Sequence, residues 1–298
     1  MRVLFICLFT IFSVAGFGQK NRPLSITLEN VDYAYPINFL GVNVEGQDLR
    51  MAYMDIKPSR PNGSSVLLFH GKNFAGYYWT NVIKALAESG YRVIVPDQIG
   101  FGKSSKPFIN YSFHTLAALN KQLMDSLGIK QAVIMGHSMG GMLATRFALL
   151  YPASTSQLIL ENPIGLEDYR TFVPYAKTEN LYRTELKTNQ ESIKKYYQGS
   201  YFVEWKPEYD ELVRIAAGVT GSSDFPRLAK ISAMTSQMIY EQPVVHEFHF
   251  LKVPVLLLIG TQDKTIVGKA RLNAEDQKRY GQLVFLASKP LLGFPGLN

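Results

Sequence analysis

The feature that most constrains this chain is a set of five apolar runs, at 66–70, 91–97, 131–136, 157–162 and 253–260, that lack the alternation of a half-exposed strand. Runs of this length, rich in Val, Ile and Leu, suit parallel strands buried on both faces. Amphipathic segments near 78–89, 114–127 and 139–151 fall between the first four of them. The resulting order of strand, helix, strand, helix predicts an α/β chain with a doubly wound, mostly parallel sheet. In such sheets ligands bind beyond the carboxyl ends of the strands. Ahead of the runs, 37–56 reads as a β-hairpin around the turn-prone Glu45-Gly46-Gln47-Asp48.

The alternation breaks between about 164 and 250, where fourteen aromatic residues are scattered and no comparable buried strand appears. An insertion of that size between two sheet strands predicts a helical cap over the active-site edge. The expected organisation is a first part of the core at 37–163, the cap at 164–250 and a second part of the core at 251–281. A tail at 282–298 differs in composition from the charged segment before it and has no acidic residue. The cap aromatics have two readings, as an apolar pocket for substrate or as the cap's own core.

With 47% hydrophobic and 18% charged residues, the chain falls outside the disordered, collagenous and coiled-coil classes. Its single cysteine, Cys7, excludes a disulfide framework and a Cys-based zinc site. The net charge of +7 is spread along the chain without a basic run, which reads as a solvated surface and not a nucleic-acid interface. The first eighteen residues place one positive charge before an apolar run closing on small residues, the pattern of a secretory signal peptide. Cleavage near Gly18/Gln19 is expected, giving a secreted or periplasmic protein, and no later segment reads as a transmembrane span.

The chemistry concentrates at Gly136-His137-Ser138-Met139-Gly140-Gly141, which follows a buried run and opens a helix. This is a G-x-S-x-G nucleophile elbow in its strand, turn, helix context. Small residues two positions either side of the serine are needed because the turn is tight, and Ser138 must take a strained backbone to lift its hydroxyl above the sheet. A serine attacking a carbonyl also needs donors for the oxyanion. Met139 N–H supplies one by position, and Lys72 N–H, in the loop after the first buried strand, is the candidate for the second. The Lys72 side chain has two readings, turned to solvent or attracting an anionic substrate group. His70 reads as a structural hydrogen-bonding residue, His137 as pointing down into the fold, and His114 as a surface or capping residue.

These segments resemble the α/β-hydrolase superfamily, in the capped group that includes ester hydrolases, C–C bond hydrolases and proline iminopeptidases. The resemblance runs from about residue 40 to 280 and rests on His70-Gly71, 97–104, the elbow, Asn162-Pro163 and Gly260-Thr261-Gln262-Asp263. It implies Asp263 as the triad acid, with Glu161 as runner-up, and makes Asp97 a loop-organising residue bonded to the Gly100 and Gly102 backbone. Ser138 stands where epoxide hydrolases and dehalogenases carry aspartate, so ester, thioester, amide or activated C–C hydrolysis through an acyl-enzyme is expected. The implied partner is a small-molecule substrate, with no metal or organic cofactor.

The resemblance also implies a histidine some 25 to 35 residues after the acid, and none of the five (His70, His114, His137, His246, His249) follows Asp263. Three readings stand open: a truncated or frameshifted gene product lacking its final strand and helix, a non-catalytic binding pseudoenzyme, or His246 or His249 serving as base. Downstream coding sequence for a strand followed by Gly-His would establish the first.

Overall fold

The computed structural model describes residues 23–280; the signal-peptide and tail expectations lie outside them. The hairpin forms as read, with β1 (Ile37–Val44) and β2 (Gln47–Ile56) antiparallel. Its connection is tighter than expected, since Glu45 and Gly46 alone turn the chain, at φ 50° and 75°. Positive φ at both central residues is the type I′ geometry that matches strand twist.

The five apolar runs become β3 (Ser65–Phe69), β4 (Arg92–Pro96), β5 (Ala132–His137), β6 (Thr155–Glu161) and β7 (Val255–Leu258). With the hairpin they make a seven-stranded sheet in the order β1-β2-β4-β3-β5-β6-β7, parallel from β4 onward. Alternate side chains enter two separate cores. Leu67 and Phe69 pack with Ile94 and Ile134 under helices α2 (Phe113–Ser126) and α3 (Met139–Leu150), while Val66 and Leu68 pack with Val93, Val95, Trp79 and Ile83 on the side of α1 (Thr80–Glu88). Burial on both faces is why these runs show no polar alternation.

β7 departs from that expectation. It is the outermost described strand, pairs with β6 on one side, and leaves Leu256 and Leu258 exposed, so only one of its faces joins the core.

Because β3 lies between β4 and β5, the connections leaving β3 and β5 diverge to opposite faces of the sheet. A crevice at such a switch point is where an open α/β sheet binds ligand. Over it lie α4 (Thr178–Glu185), α5 (Gln190–Ser200), α6 (Asp210–Gly218) and α7 (Phe225–Glu241), with α4 packed on α7 and α5 on α6. A short helix, α8 (Ala274–Tyr280), follows β7.

An element that the sequence did not announce ties these helices to the core. Leu24, Leu28 and Val31 pack on Ile215 and Val219, and Leu24 N–H donates to Gly218 O on α6. Lys103 Nζ donates to the carbonyls of Leu28 and Val31 at 2.5 and 2.6 Å, and Tyr33 Oη donates to Asp97 Oδ2 at 2.8 Å. Residues 24–33 are thus a strap with one end on the cap and the other on the loop after β4.

Candidate active site

Ser138 caps β5 with φ 54° and ψ −119°, a conformation rare outside glycine, and α3 begins at the next residue. The turn is held by Ser138 N–H to Glu161 O at 3.2 Å, and by Ser138 O accepting from Gly141 N–H at 2.8 Å and Ile164 N–H at 3.2 Å. A Cβ on Gly136 would collide with the Gly140 carbonyl, one on Gly140 with the Phe69 carbonyl, and one on Gly141 would stand 2.5 Å from Pro163 Cβ. The glycines are therefore steric requirements of three neighbouring backbones, as the elbow motif demands.

Gly71 lies directly over the elbow, where a Cβ would stand 3.2 Å from Ser138 Cβ and 3.1 Å from His137 Nδ1. Among the described residues, neither Lys72 N–H nor Met139 N–H has a hydrogen-bond acceptor. An unpaired backbone N–H beside such an elbow is costly to bury and is the kind of donor an oxyanion hole uses.

The Lys72 side chain follows neither of its two sequence readings. Its Nζ donates to Ser232 Oγ on α7 at 2.7 Å and lies 3.6 Å from Glu185 Oε1 on α4. The ammonium fastens the loop to the cap and is already paired. Asn73 and Phe74 continue the attachment: Asn73 Nδ2 donates to Tyr201 Oη at 2.7 Å, Tyr197 Oη donates to Asn73 O at 3.1 Å, and Phe74 packs on both rings. The cap aromatics divide between the two expected roles, with Tyr197 buried in the cap's own core and Tyr201, Phe202 and Tyr209 lining the cleft.

That cleft, about 990 Å³, is lined by Ser138 and Asp263 together with Asn162 and Gly260. Asp263 lies in the turn after β7, with its N–H donating to Gly260 O at 3.0 Å and its Oδ1 accepting from Thr265 N–H at 2.8 Å. Asn162, at φ 38°, registers this turn against the elbow: its N–H donates to Leu258 O at 2.7 Å and its Oδ1 accepts from Gly260 N–H at 2.7 Å. Nothing in the Asn162-Pro163 motif itself points to this positioning role. Glu161 is half-buried, with its carboxyl held above the usual range by desolvation.

The histidines sort by environment. His70 is fully buried, with Nε2 accepting from Gln98 N–H at 3.0 Å and Nδ1 3.0 Å or less from Gly71 O, at 2.9 Å, so its tautomer is fixed and its role is structural as expected. Burial lowers its pKa. His114 is exposed at the start of α2, where Ser112, not the histidine, is the cap. His246 is exposed, with Nε2 2.9 Å from Asp168 Oδ2, and His249 is exposed against Phe250. Neither lines the cleft, and Ser138 Oγ has no hydrogen-bond partner among the described residues, so neither serves as its base here.

His137 corrects its sequence reading. Its ring does not point down into the fold but lines the cleft beside Ser138, with Nδ1 3.0 Å from Tyr78 Oη and Phe74 and Trp79 around it. Desolvation lowers its pKa to about 4, so it is neutral at pH 7. A histidine with a folded pKa below its ordinary 6.5 binds protons more weakly folded than unfolded. As pH falls from 6.5 towards 4, the unfolded state protonates first and stability drops, by about 3 kcal/mol from this residue. Urea unfolding of His137→Asn at pH 7 and pH 4.5 should show a smaller loss than the unsubstituted protein; an equal loss would place the titration elsewhere.

Asp97 organises its loop, but through partners other than those expected. Its carboxylate accepts from Gly76 N–H at 2.6 Å, Lys103 N–H at 2.7 Å and Tyr33 Oη, while Gly100 N–H donates to Ser105 O. Gly102 has a different function, since any Cβ there would overlap the Asp97 carboxylate.

A sequence profile of the alpha/beta hydrolase fold matches residues 64–280. The chain belongs to that family. Over this alpha/beta hydrolase, a probable hydrolytic enzyme from Pseudomonas aeruginosa PAO1 superposes with a TM-score of 0.90 at 45% identity, covering 92% of this chain and 89% of the other. An enol-lactonase from Burkholderia xenovorans LB400 shares the fold at 18% identity and TM-score 0.61, over 83% of this chain and 98% of its own. A 2-hydroxy-6-oxo-6-phenylhexa-2,4-dienoate hydrolase of Burkholderia cepacia is 39% identical over 108 residues, 35% of this chain. The chain thus matches 38% of that curated relative's length.

Proposed function

We propose that this alpha/beta hydrolase acts on an ester, thioester, amide or activated C–C bond through an acyl-enzyme on Ser138. The observation that carries the reading is the strained Ser138 backbone at φ 54°, with Gly71 against it and with the N–H groups of Lys72 and Met139, the residues next to Gly71 and Ser138, using no acceptor among the described residues. In this reading Ser138 Oγ attacks the carbonyl carbon, the Lys72 and Met139 N–H groups receive the oxyanion, and Asp263 is the acid that would orient and stabilise an imidazolium. Among the described residues no side chain hydrogen-bonds Ser138 Oγ, and in this reading its proton passes to hydroxide or a dissolved base.

A fluorophosphonate probe at mildly alkaline pH should add one mass increment to the peptide containing Ser138, and Ser138→Ala should remove it. Folded protein that never acquires the adduct would overturn the reading. Export to the periplasm or medium is proposed from the first eighteen residues, and cell fractionation that finds only full-length cytoplasmic protein would refute it.

A further inference from the structure

His137 stands in the cleft as a group that the proposed chemistry leaves unused. Its ring lines the cavity with Ser138, and the two lie close together, since the point where a Gly71 Cβ would sit is 3.1 Å from His137 Nδ1 and 3.2 Å from Ser138 Cβ. The two ring nitrogens have different surroundings. Nδ1 lies 3.0 Å from Tyr78 Oη, whereas Nε2 has no hydrogen-bond partner among the described residues. Nε2 is nevertheless not sealed in, because the partnerless side-chain polar atoms that are buried among the described residues are Trp79 Nε1 and Arg146 Nε. An unpaired, accessible nitrogen on a ring that lines the cleft is open to a ligand there.

Tyr78 decides which of the two nitrogens carries the proton. Its own place is set by the short turn Gly76–Trp79, whose first N–H is held by Asp97 Oδ1 at 2.6 Å, and by stacking on Trp79 at 4.7 Å. Desolvation holds the phenol well above its ordinary pKa, so it keeps its proton, and among the described residues His137 Nδ1 is the one acceptor for its O–H. A neutral imidazole has one donor and one acceptor nitrogen, and the bond made by one assigns the proton to the other. A proton on Nδ1 would leave the phenol O–H without an acceptor, at the cost of an unmade hydrogen bond. With Tyr78 donating to Nδ1, the proton sits on Nε2. The cleft thus presents, beside Ser138, an uncharged N–H donor in a fixed orientation.

We infer that His137 Nε2–H is a specificity-determining donor for an acceptor oxygen that the substrate carries close to its scissile carbonyl, with Tyr78 as the positioning residue that fixes the donor. A site with a donor in place discriminates against an analogue that lacks the matching oxygen, because the donor is then left unpaired. Keto- or ether-bearing substrates are therefore favoured over plain alkyl ones of the same length. The inference rests on the proposed hydrolase reading for its mention of a scissile carbonyl, and the proton's place on His137 is independent of it.

The test uses the full chain carrying Ser138→Ala, so that no ester turns over, with isotope-labelled histidine read by nitrogen NMR. At pH 7 the His137 signals should be those of the Nε2–H form, and adding Tyr78→Phe should mix the two forms; the Nδ1–H form in the parent would overturn the inference. Two isosteric pairs of esters then probe the donor from either side of the carbonyl: methyl methoxyacetate against methyl butyrate, and methoxyethyl acetate against butyl acetate. In one pair the ether should move the Nε2 signal, and its affinity relative to the hydrocarbon partner should fall about fivefold in His137→Phe, the net worth of one hydrogen bond. His137→Asn, which keeps an acceptor for Tyr78 and an N–H donor, should retain most of that relative affinity, a rescue that a merely space-filling role would not need. Relative affinities in both pairs that His137→Phe leaves unchanged would overturn the inference. Failure of Ser138 to react with fluorophosphonate is a separate result that removes the hydrolase reading and leaves the recognition donor to be judged on these binding data.

Discussion

Gly136→Ala is expected to unfold the elbow and take the domain's stability with it, lowering the unfolding free energy by at least about 3 kcal/mol. The added methyl would meet the carbonyl group of Gly140 and the amide nitrogen of Gly141, backbone atoms that cannot rotate away as a side chain can. Relief would require shifting the first turn of α3, which is buried from Met139 to Ala148 and bridges β3, β5 and β6. Gly128→Ala is the control. Gly128, unlike Gly136, has positive φ, at 68°, and nothing lies within 4 Å of its Cβ position, so the cost there is conformational only, about 1 kcal/mol. Urea denaturation of the two variants separates the terms. A loss at Gly136 no larger than at Gly128 would mean that the strand-to-helix turn is not sterically closed, and the case for a strained nucleophile would fall with it.

The contrast between those two glycines shows which parts of the molecule a sequence reveals. The elbow was legible because its requirement is local: β5, the turn and α3 are consecutive, and the clash that selects glycine is between residues four apart. The core strands were legible for a similar reason, since alternate residues of β3 enter two apolar cores and leave an uninterrupted run. The strap at 24–33 was not, because Leu24, Leu28 and Val31 have no helical or strand period and acquire partners only when α6 is folded beside them. Long-range polar partners were equally hidden. Asp97 was correctly placed as a loop organiser, but its acceptor bonds go to Gly76 and Tyr33, residues from separate segments that no spacing rule connects. The partner of the Lys72 ammonium is hidden for the same reason, since Ser232 is 160 residues away in the chain. His137 failed differently: a residue alternating with Ser138 was assigned to the fold's interior, whereas the left-handed turn at Ser138 leaves both side chains on the cleft.

Imidazole added to the solution should raise the Ser138-dependent hydrolysis of an activated aryl ester by roughly a hundredfold, the lower end of what general-base assistance supplies. The argument starts from what the cleft holds. Ser138, the proposed nucleophile, and Asp263 line one cavity of about 990 Å³, which His246 and His249 do not line, and His137, its pKa lowered to about 4 by desolvation and its Nδ1 engaged by Tyr78, is too weak a base for the role. Without added base, the Ser138-dependent rate should therefore climb nearly tenfold per pH unit as hydroxide does, with no plateau near neutrality. Neutral imidazole can take the serine proton, and an Asp263 carboxylate beside the resulting imidazolium stabilises it. The rescue should accordingly saturate with imidazole concentration and be weakened in Asp263→Asn, while Ser138→Ala, whose rate is subtracted throughout, reports the reaction of imidazole with the ester in bulk solution. A bell or plateau centred near pH 7 before imidazole is added would reveal a resident base that the cleft geometry does not show. Rescue unaffected by Asp263→Asn would instead remove Asp263 from the site and leave the elbow and its oxyanion donors as the whole of the catalytic apparatus.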